Sequence, residues 1–159
     1  MEVMDLKNHK EYVLEVMTLE FDEWASNVGN NRGMRIARKV AQYEDFLNHP
    51  HFCKLILLDQ DELVGFISIF PHDCSEEPDL EPWYATMYVK EKFRGRGYSK
   101  ILNEAILEEA RCRGIKTLYL KTSLEGYYEK FGQSMLRIWL MERKSFNLFY
   151  ERMNLYELC

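Results

Sequence analysis

The sequence predicts a mixed α/β fold in a single domain, and three observations carry that expectation. The chain has 159 residues, 47% apolar and 14% aromatic, with eight Gly and four Pro. One ordinary domain of that composition buries enough apolar surface to offset its ordering entropy. Strand-like and helix-like segments alternate, with a strand–helix–strand crossover at the centre. No repeat or low-complexity linker divides the chain, so the domain is expected to span 1–159.

Taken in order, residues 1–6 read as a short first strand. From Asn8, a plausible cap, Tyr12, Val13, Val16, Met17 and Phe21 recur at three- and four-residue spacing. That is an amphipathic helix ending near Ser26-Asn27. Loop chemistry follows at Asn27-Val28-Gly29-Asn30-Asn31, then a weaker helix through Ile36, Val40 and Phe46, closed by Pro50. Lys54 to Leu58 and Leu63 to Phe70 read as hairpin partners around the tight turn Asp59-Gln60-Asp61. Pro71 to Pro82 is an acidic connection, and Trp83 to Val89 is a strand rich in aromatic and β-branched residues. A helix runs from about Ser99 to Arg113, with Ile101, Leu102, Ala105, Ile106 and Ala110 as its apolar stripe and Gly114 as its stop. Ile115 to Thr122 reads as a strand and Gly126 to Phe131 as a short helix ended by Gly132. Two further strand-like runs, Met135 to Met141 and Phe146 to Met153, flank Glu142-Arg143-Lys144.

Charge and cysteine usage narrow the class. A net charge of −5 argues against a nucleic-acid binder that neutralises phosphates over a broad face. Cys53, Cys74, Cys112 and Cys159 form no CxxC pair and read as reduced thiols of a cytoplasmic protein. His49 and His51 lack further ligands at zinc spacing, so no metal is expected. The N-terminus carries no basic start followed by an apolar run, and no stretch approaches ~18 apolar residues. Neither export by such a signal nor a membrane partner is expected.

Chemistry concentrates in Trp83-Tyr84-Ala85-Thr86-Met87-Tyr88-Val89 and Phe93-Arg94-Gly95-Arg96-Gly97-Tyr98-Ser99. A glycine-bearing loop there joins a strand to a helix. Helix-start N–H groups lack intrahelical partners and sit at the positive end of the dipole, a natural seat for phosphate oxygens. Gly95 and Gly97 permit close approach, and Arg94, Arg96 and Lys100 add positive charge. A Walker loop needs GxxxxGK with Ser or Thr, which is absent. A dinucleotide loop needs GxGxxG, but Lys100 stands where the third Gly belongs. The plain alternative is a turn with glycines and solvated arginines.

With its flanks, the segment resembles the GNAT superfamily of N-acetyltransferases, whose acyl-CoA signature is Gln/Arg-x-x-Gly-x-Gly/Ala. Arg94-Gly95-Arg96-Gly97-Tyr98-Ser99 fits with Ser99 at the last position, and Tyr127-Tyr128-Glu129-Lys130-Phe131-Gly132 resembles the family's Tyr-x-x-x-Gly segment. The resemblance implies a single-domain GNAT-like fold: a twisted, mostly antiparallel sheet splayed at a central parallel strand pair, flanked by helices. It also implies acetyl-CoA as acyl donor and an unidentified amine as acceptor, and it leaves a homodimer open. Met87, Tyr88 and Val89 would offer backbone groups to pantetheine, and Gly95 to Lys100, with Arg94, would hold the pyrophosphate. Two departures concern the acceptor side and finer cofactor contacts: Thr122-Ser123 replaces the Asn after the fifth strand, and Gln133 replaces an aromatic.

An amine of pKa ~10.4 must lose a proton, and a departing thiolate of conjugate-acid pKa ~8.5 must gain one. A phenol of pKa ~10 can donate it. The resemblance assigns that role to Tyr128, four residues before Gly132. Tyr127 is ~100° round the helix and packs in the core. Oxyanion stabilisation is expected from a backbone N–H near Met87 or Tyr88, where the family's strand bulges. Glu81 is the candidate base, with Glu76, Glu77 and Asp79 as alternatives; as a group with Asp73, these carboxylates could attract a cationic acceptor, or form a solvated loop. Trp24 and Trp83, large apolar residues near the expected cleft, read by default as core packing, and Arg32, Arg35 and Arg38 as a solvated face. The reading from another class is a CoA-sensing module without catalysis.

Overall fold

This computed structural model describes residues 1–25, 31–75, 77–122, 139–143 and 146–154, and seven strands and three α-helices lie among these described residues. The order is β1 (Glu2–Asp5), α1 (Val13–Trp24), α2 (Arg32–Phe46), β2 (Cys53–Asp59), β3 (Glu62–Phe70), β4 (Trp83–Val89), α3 (Tyr98–Cys112), β5 (Thr117–Thr122), β6 (Trp139–Arg143) and β7 (Phe146–Asn154). Strands lie side by side as β1-β2-β3-β4-β5-β7-β6. Every neighbouring pair is antiparallel except β4 and β5, which run parallel across the α3 crossover. The expected twisted mixed sheet with a central parallel pair is therefore present.

Strand alternation sends two sets of side chains to two helical layers. Leu55, Leu57, Ile67, Ile69 and Leu120 meet Leu102, Ile106 and Ala110 of α3 on one face. Ile56, Leu58, Leu63 and Phe66 meet Val16 and Met17 of α1 and Tyr43 of α2 on the other, called the front here. Trp83 is fully buried beside Cys74, as a packing residue should be. Trp24, expected in the core, instead lies at the C-terminal end of α1 with half its surface exposed, its ring edge-on to Phe66 and Tyr88.

Several boundaries differ from expectation for local reasons. The first helix starts at Val13 because the Asp5 carboxylate accepts from the Lys7 N–H and two short 3-10 turns, Leu6–Asn8 and Lys10–Tyr12, come first. Between β2 and β3, Gln60 and Asp61 take φ of +49° and +64°, as a two-residue hairpin turn of matching twist requires. After α3, the Gly114 N–H donates to the Arg111 carbonyl and the Ile115 N–H to the Ala110 carbonyl. That cap buries Ile115 against α3 and delays β5 to Thr117. Of the expected strand Met135 to Met141, residues 139–141 fall in β6, Trp139–Arg143, and 135–138 lie outside the described residues. The predicted helix Gly126 to Phe131 lies outside the described residues.

Candidate active site

The central parallel pair is short. Only Trp83–Tyr119 and Tyr84–Leu120 are in register, and beyond them no further β4–β5 pairing is present among the described residues. On its other edge β4 bulges: Phe66 faces Tyr88 and Ser68 faces Ala85, so Ile67 stands opposite both Thr86 and Met87. Thr86 has φ +49°. Such a conformation is a genuine outlier for a β-branched residue and turns the strand at the point where it leaves β5.

Past the bulge, Met87, Tyr88, Val89, Phe93, Arg94, Gly95, Gly97, Tyr98, Ser99 and Glu23 line a cleft of about 360 Å³. Eight of the residues singled out from sequence meet here, while Arg96 and Lys100 flank it. Gly95 and Gly97 adopt φ of +76° and +82°, where side chains are strained. A Cβ at either would meet nothing within 4 Å, so the space in front of the loop is open. Gly97 caps α3 with no side-chain hydrogen bond, leaving the first N–H groups of that helix without a side-chain partner. Cations surround this end. Arg94 donates from Nε to the Val89 carbonyl at 2.9 Å and stands 4.0 Å from Glu23. Arg96 lies over the Phe93 ring, and Lys100 reaches Glu104 at 3.8 Å. Burial pushes the Tyr88 phenol above its ordinary pKa, with Glu23 adding to the effect, so at neutral pH it remains a donor.

Glu81 does not join this group. It lies before β4, with carboxylate oxygens 3.9 Å from His51 and 3.7 Å from His72. Thr86 is five residues further along an extended chain, roughly 16 Å at ~3.3 Å per residue. Glu77 and Asp79 are exposed. Glu76, Tyr127 and Tyr128 lie outside the described residues.

A second polar group was not foreseen. On the front face, opposite residues Lys54 and Ser68, then Ser68 and Ala85, run across β2, β3 and β4 to the bulge. Lys54, 1% exposed, donates to Glu20 of α1 at 2.5 Å, and Glu20 also accepts from Lys39 of α2 at 2.7 Å. The Lys54 ammonium lies over the Phe66 and Phe70 rings and 3.5 Å from Thr86 Oγ1, which is 2.6 Å from Ser68 Oγ. Burial works to raise the Glu20 carboxyl, but the two ammonium groups outweigh it and hold its pKa low. Asp73 keeps a solvent-facing side, yet protein atoms crowd its carboxylate and push its pKa up against the pull of Lys121, Lys39 and Lys54. Two signals in the sequence point to this group: Glu20 falls on the apolar stripe of α1, and Lys54 interrupts an apolar strand.

Gly65 was missed as well. A Cβ there would come within 2.4 Å of the Tyr88 carbonyl oxygen, so β3 and β4 approach closely where the cleft begins. An isolated glycine within a strand is the signal for such an approach.

Among the described residues, no group of His, Cys, Asp and Glu could hold a metal ion, and no helix is long and apolar enough to cross a membrane. No curated protein matches the sequence. Solved structures do match in fold. An aminoglycoside 6'-N-acetyltransferase complexed with coenzyme A is 18% identical, with TM-score 0.70 over 98% of this chain and 97% of that one. YncA from Salmonella typhimurium, solved with its cofactor acetyl-CoA, is 15% identical, with TM-score 0.69 over 100% and 96%. A ribosomal-protein-alanine N-acetyltransferase from Brucella melitensis is 16% identical, with TM-score 0.69 over 97% and 99%. The parallel pair, the bulge and the loop thus occur in a chain whose residues 14–133 match the sequence model of one family, and by that match the protein belongs to the acetyltransferase (GNAT) family.

Proposed function

We propose that this chain transfers an acetyl group from acetyl-CoA to a primary amine by direct attack. The observation that carries the reading is the cleft between β4 and the start of α3, where two left-handed glycines and an uncapped helix N-terminus face open space among Arg94, Arg96 and Lys100. Gly95 to Lys100 would take the pyrophosphate, whose charge suits the helix dipole and these cations. Met87, Tyr88 and Val89 would align pantetheine along the free edge of β4. Structural neighbours crystallised with CoA or acetyl-CoA support the donor. The acceptors named for two neighbours, an aminoglycoside and a ribosomal-protein alanine, differ, so fold likeness leaves the acceptor open.

In this reaction the neutral amine nitrogen attacks the thioester carbon, and the carbonyl oxygen gains negative charge opposite a backbone N–H of the bulge. The carbon–sulfur bond then breaks. Tyr128 gives its phenolic proton to the leaving thiolate, and the nitrogen loses its extra proton. As the group that takes that proton we choose Asp73, whose raised pKa suits a base and whose carboxylate feels the charges of Lys54, Lys39 and Glu20, over Glu81, which lies beside two histidines. Burial pushes the Cys53 thiol up to about 12, so at neutral pH it stays protonated and takes no part in the chemistry.

The test is acetyl-CoA turnover, read as free thiol, against polyamines, aminoglycosides and peptides with free N-termini. Release that depends on one amine class supports acetyl transfer. Binding of acetyl-CoA with no thiol released by any amine would instead mark a CoA-sensing module.

A further inference from the structure

Thr86 is held in a costly backbone conformation at the point where the parallel pair parts. Conformations of this kind persist only where the surroundings over-determine them, and their usual place is a functional site. Here the determinants are visible. Ser68 Oγ is 2.6 Å from Thr86 Oγ1, Lys54 Nζ stands 3.5 Å from it, and Glu20 anchors Lys54 at 2.5 Å. The anchor sits on α1, a different layer from the bulge. A charged pair is an unlikely choice for stability alone: a well-packed apolar replacement of a buried ion pair is often as stable or more so. Phe66, Phe70 and Ile56 show that apolar side chains otherwise fill this face.

We propose that Glu20 and Lys54 are positioning residues, which fix the β4 bulge through the Thr86 hydroxyl so that backbone N–H groups of Thr86 and Met87 meet the thioester in register. The proposal rests on the acetyl-transfer reading above and adds residues from α1, β2 and β3 that never touch the substrate. The cofactor loop, Arg94 to Lys100, belongs to separate elements. The pyrophosphate contacts, which carry most of the affinity, are therefore separable from alignment at the bulge, where Met87 serves both pantetheine and thioester.

The experiment compares the parent chain, Thr86→Val, Thr86→Ser and the double variant Glu20→Leu with Lys54→Met. For each, thermal unfolding, acetyl-CoA affinity by calorimetry and thiol release with the best amine of the panel are measured. A misplacement of about 1 Å costs on the order of 100-fold in rate. The double variant should unfold at or above the parent temperature and bind acetyl-CoA within about 3-fold, yet lose roughly 10- to 100-fold in kcat. Thr86→Val should show the same split, and Thr86→Ser should recover most of the rate. A purely structural role would move stability and leave kcat intact in a folded variant, and that result overturns the proposal. Equal loss of affinity and rate also overturns it, since the group would then serve the cofactor site. A parent chain that fails to bind acetyl-CoA removes the acetyl-transfer reading itself, before any variant is compared.

Discussion

Gly97 and Tyr128 make opposite demands on the chain, and each yields a prediction at the scale of single residues. At Gly97 the requirement is backbone: φ +82° favours glycine, and left-handed geometry costs other residues ~1–2 kcal/mol. Gly97→Val should also place bulk in the space before the α3 N–H groups, so acetyl-CoA affinity should fall more than ~10-fold, roughly 1.4 kcal/mol, in a folded protein. At Tyr128 the requirement is a proton. Tyr128→Phe should keep acetyl-CoA affinity while turnover falls ~100- to 10,000-fold, and Tyr127→Phe should stay near the parent; normal turnover of Tyr128→Phe would refute the assignment. Asp73 supplies the base-side test. Its raised pKa moves the acidic limb of the rate profile upward from that of an ordinary aspartate, because activity rises as the carboxyl loses its proton. Asp73→Asn should abolish that limb and Glu81→Gln should leave it in place; the reverse pattern would return the base to Glu81. The glycine and arginine positions were legible in the sequence because phosphate loops need particular residues at particular spacings. Glu20 and Lys54 stand out in the sequence only as charges on apolar faces; their partnership with Thr86 joins α1, β2 and β4 and appears only when the sheet assembles.

Elements explain why the cleft lies where it does. β4 is antiparallel to β3 and parallel to β5, so the α3 crossover brings its own N-terminus back beside the end of β4. The bulge then turns β4 away from β5, and the close approach at Gly65 keeps it against β3. Gly65→Ala would put a methyl group 2.4 Å from the Tyr88 carbonyl, backbone against side chain, with no flexible end to yield. Overpacking of this kind costs ~1–3 kcal/mol, so the variant should unfold earlier and bind acetyl-CoA more weakly; unchanged values for both would deny the close approach. Element order was readable because periods of two and of three to four residues alternate so plainly in this chain. Boundaries shifted where capping intervened: the Asp5 turn delayed α1 to Val13, and the cap at Gly114 delayed β5 to Thr117. Neither cap has a hydrophobic period, so pattern reading passes over both.

Across the molecule, apolar layers pack on the two faces of the sheet, and on the front face the buried Glu20–Lys54 pair reaches the bulge. Its pH consequence follows from Glu20, whose folded pKa is depressed by Lys54 and Lys39. The stability it contributes is complete above the unfolded value of ~4.3 and drains as pH falls through the lower folded value. Lys39→Gln removes one of the two ammonium groups that hold this pKa down, so it should move the acid-unfolding midpoint upward; an unmoved midpoint would detach Glu20 from acid stability. The central claim concerns the donor. Calorimetric titration of the intact chain with acetyl-CoA tests it most directly, with Gly97→Val titrated alongside. One site per chain, weakened by added salt as the exposed arginines are screened and lost in the folded variant, is the predicted result. No binding to the parent, or equal binding to both proteins, would contradict the account.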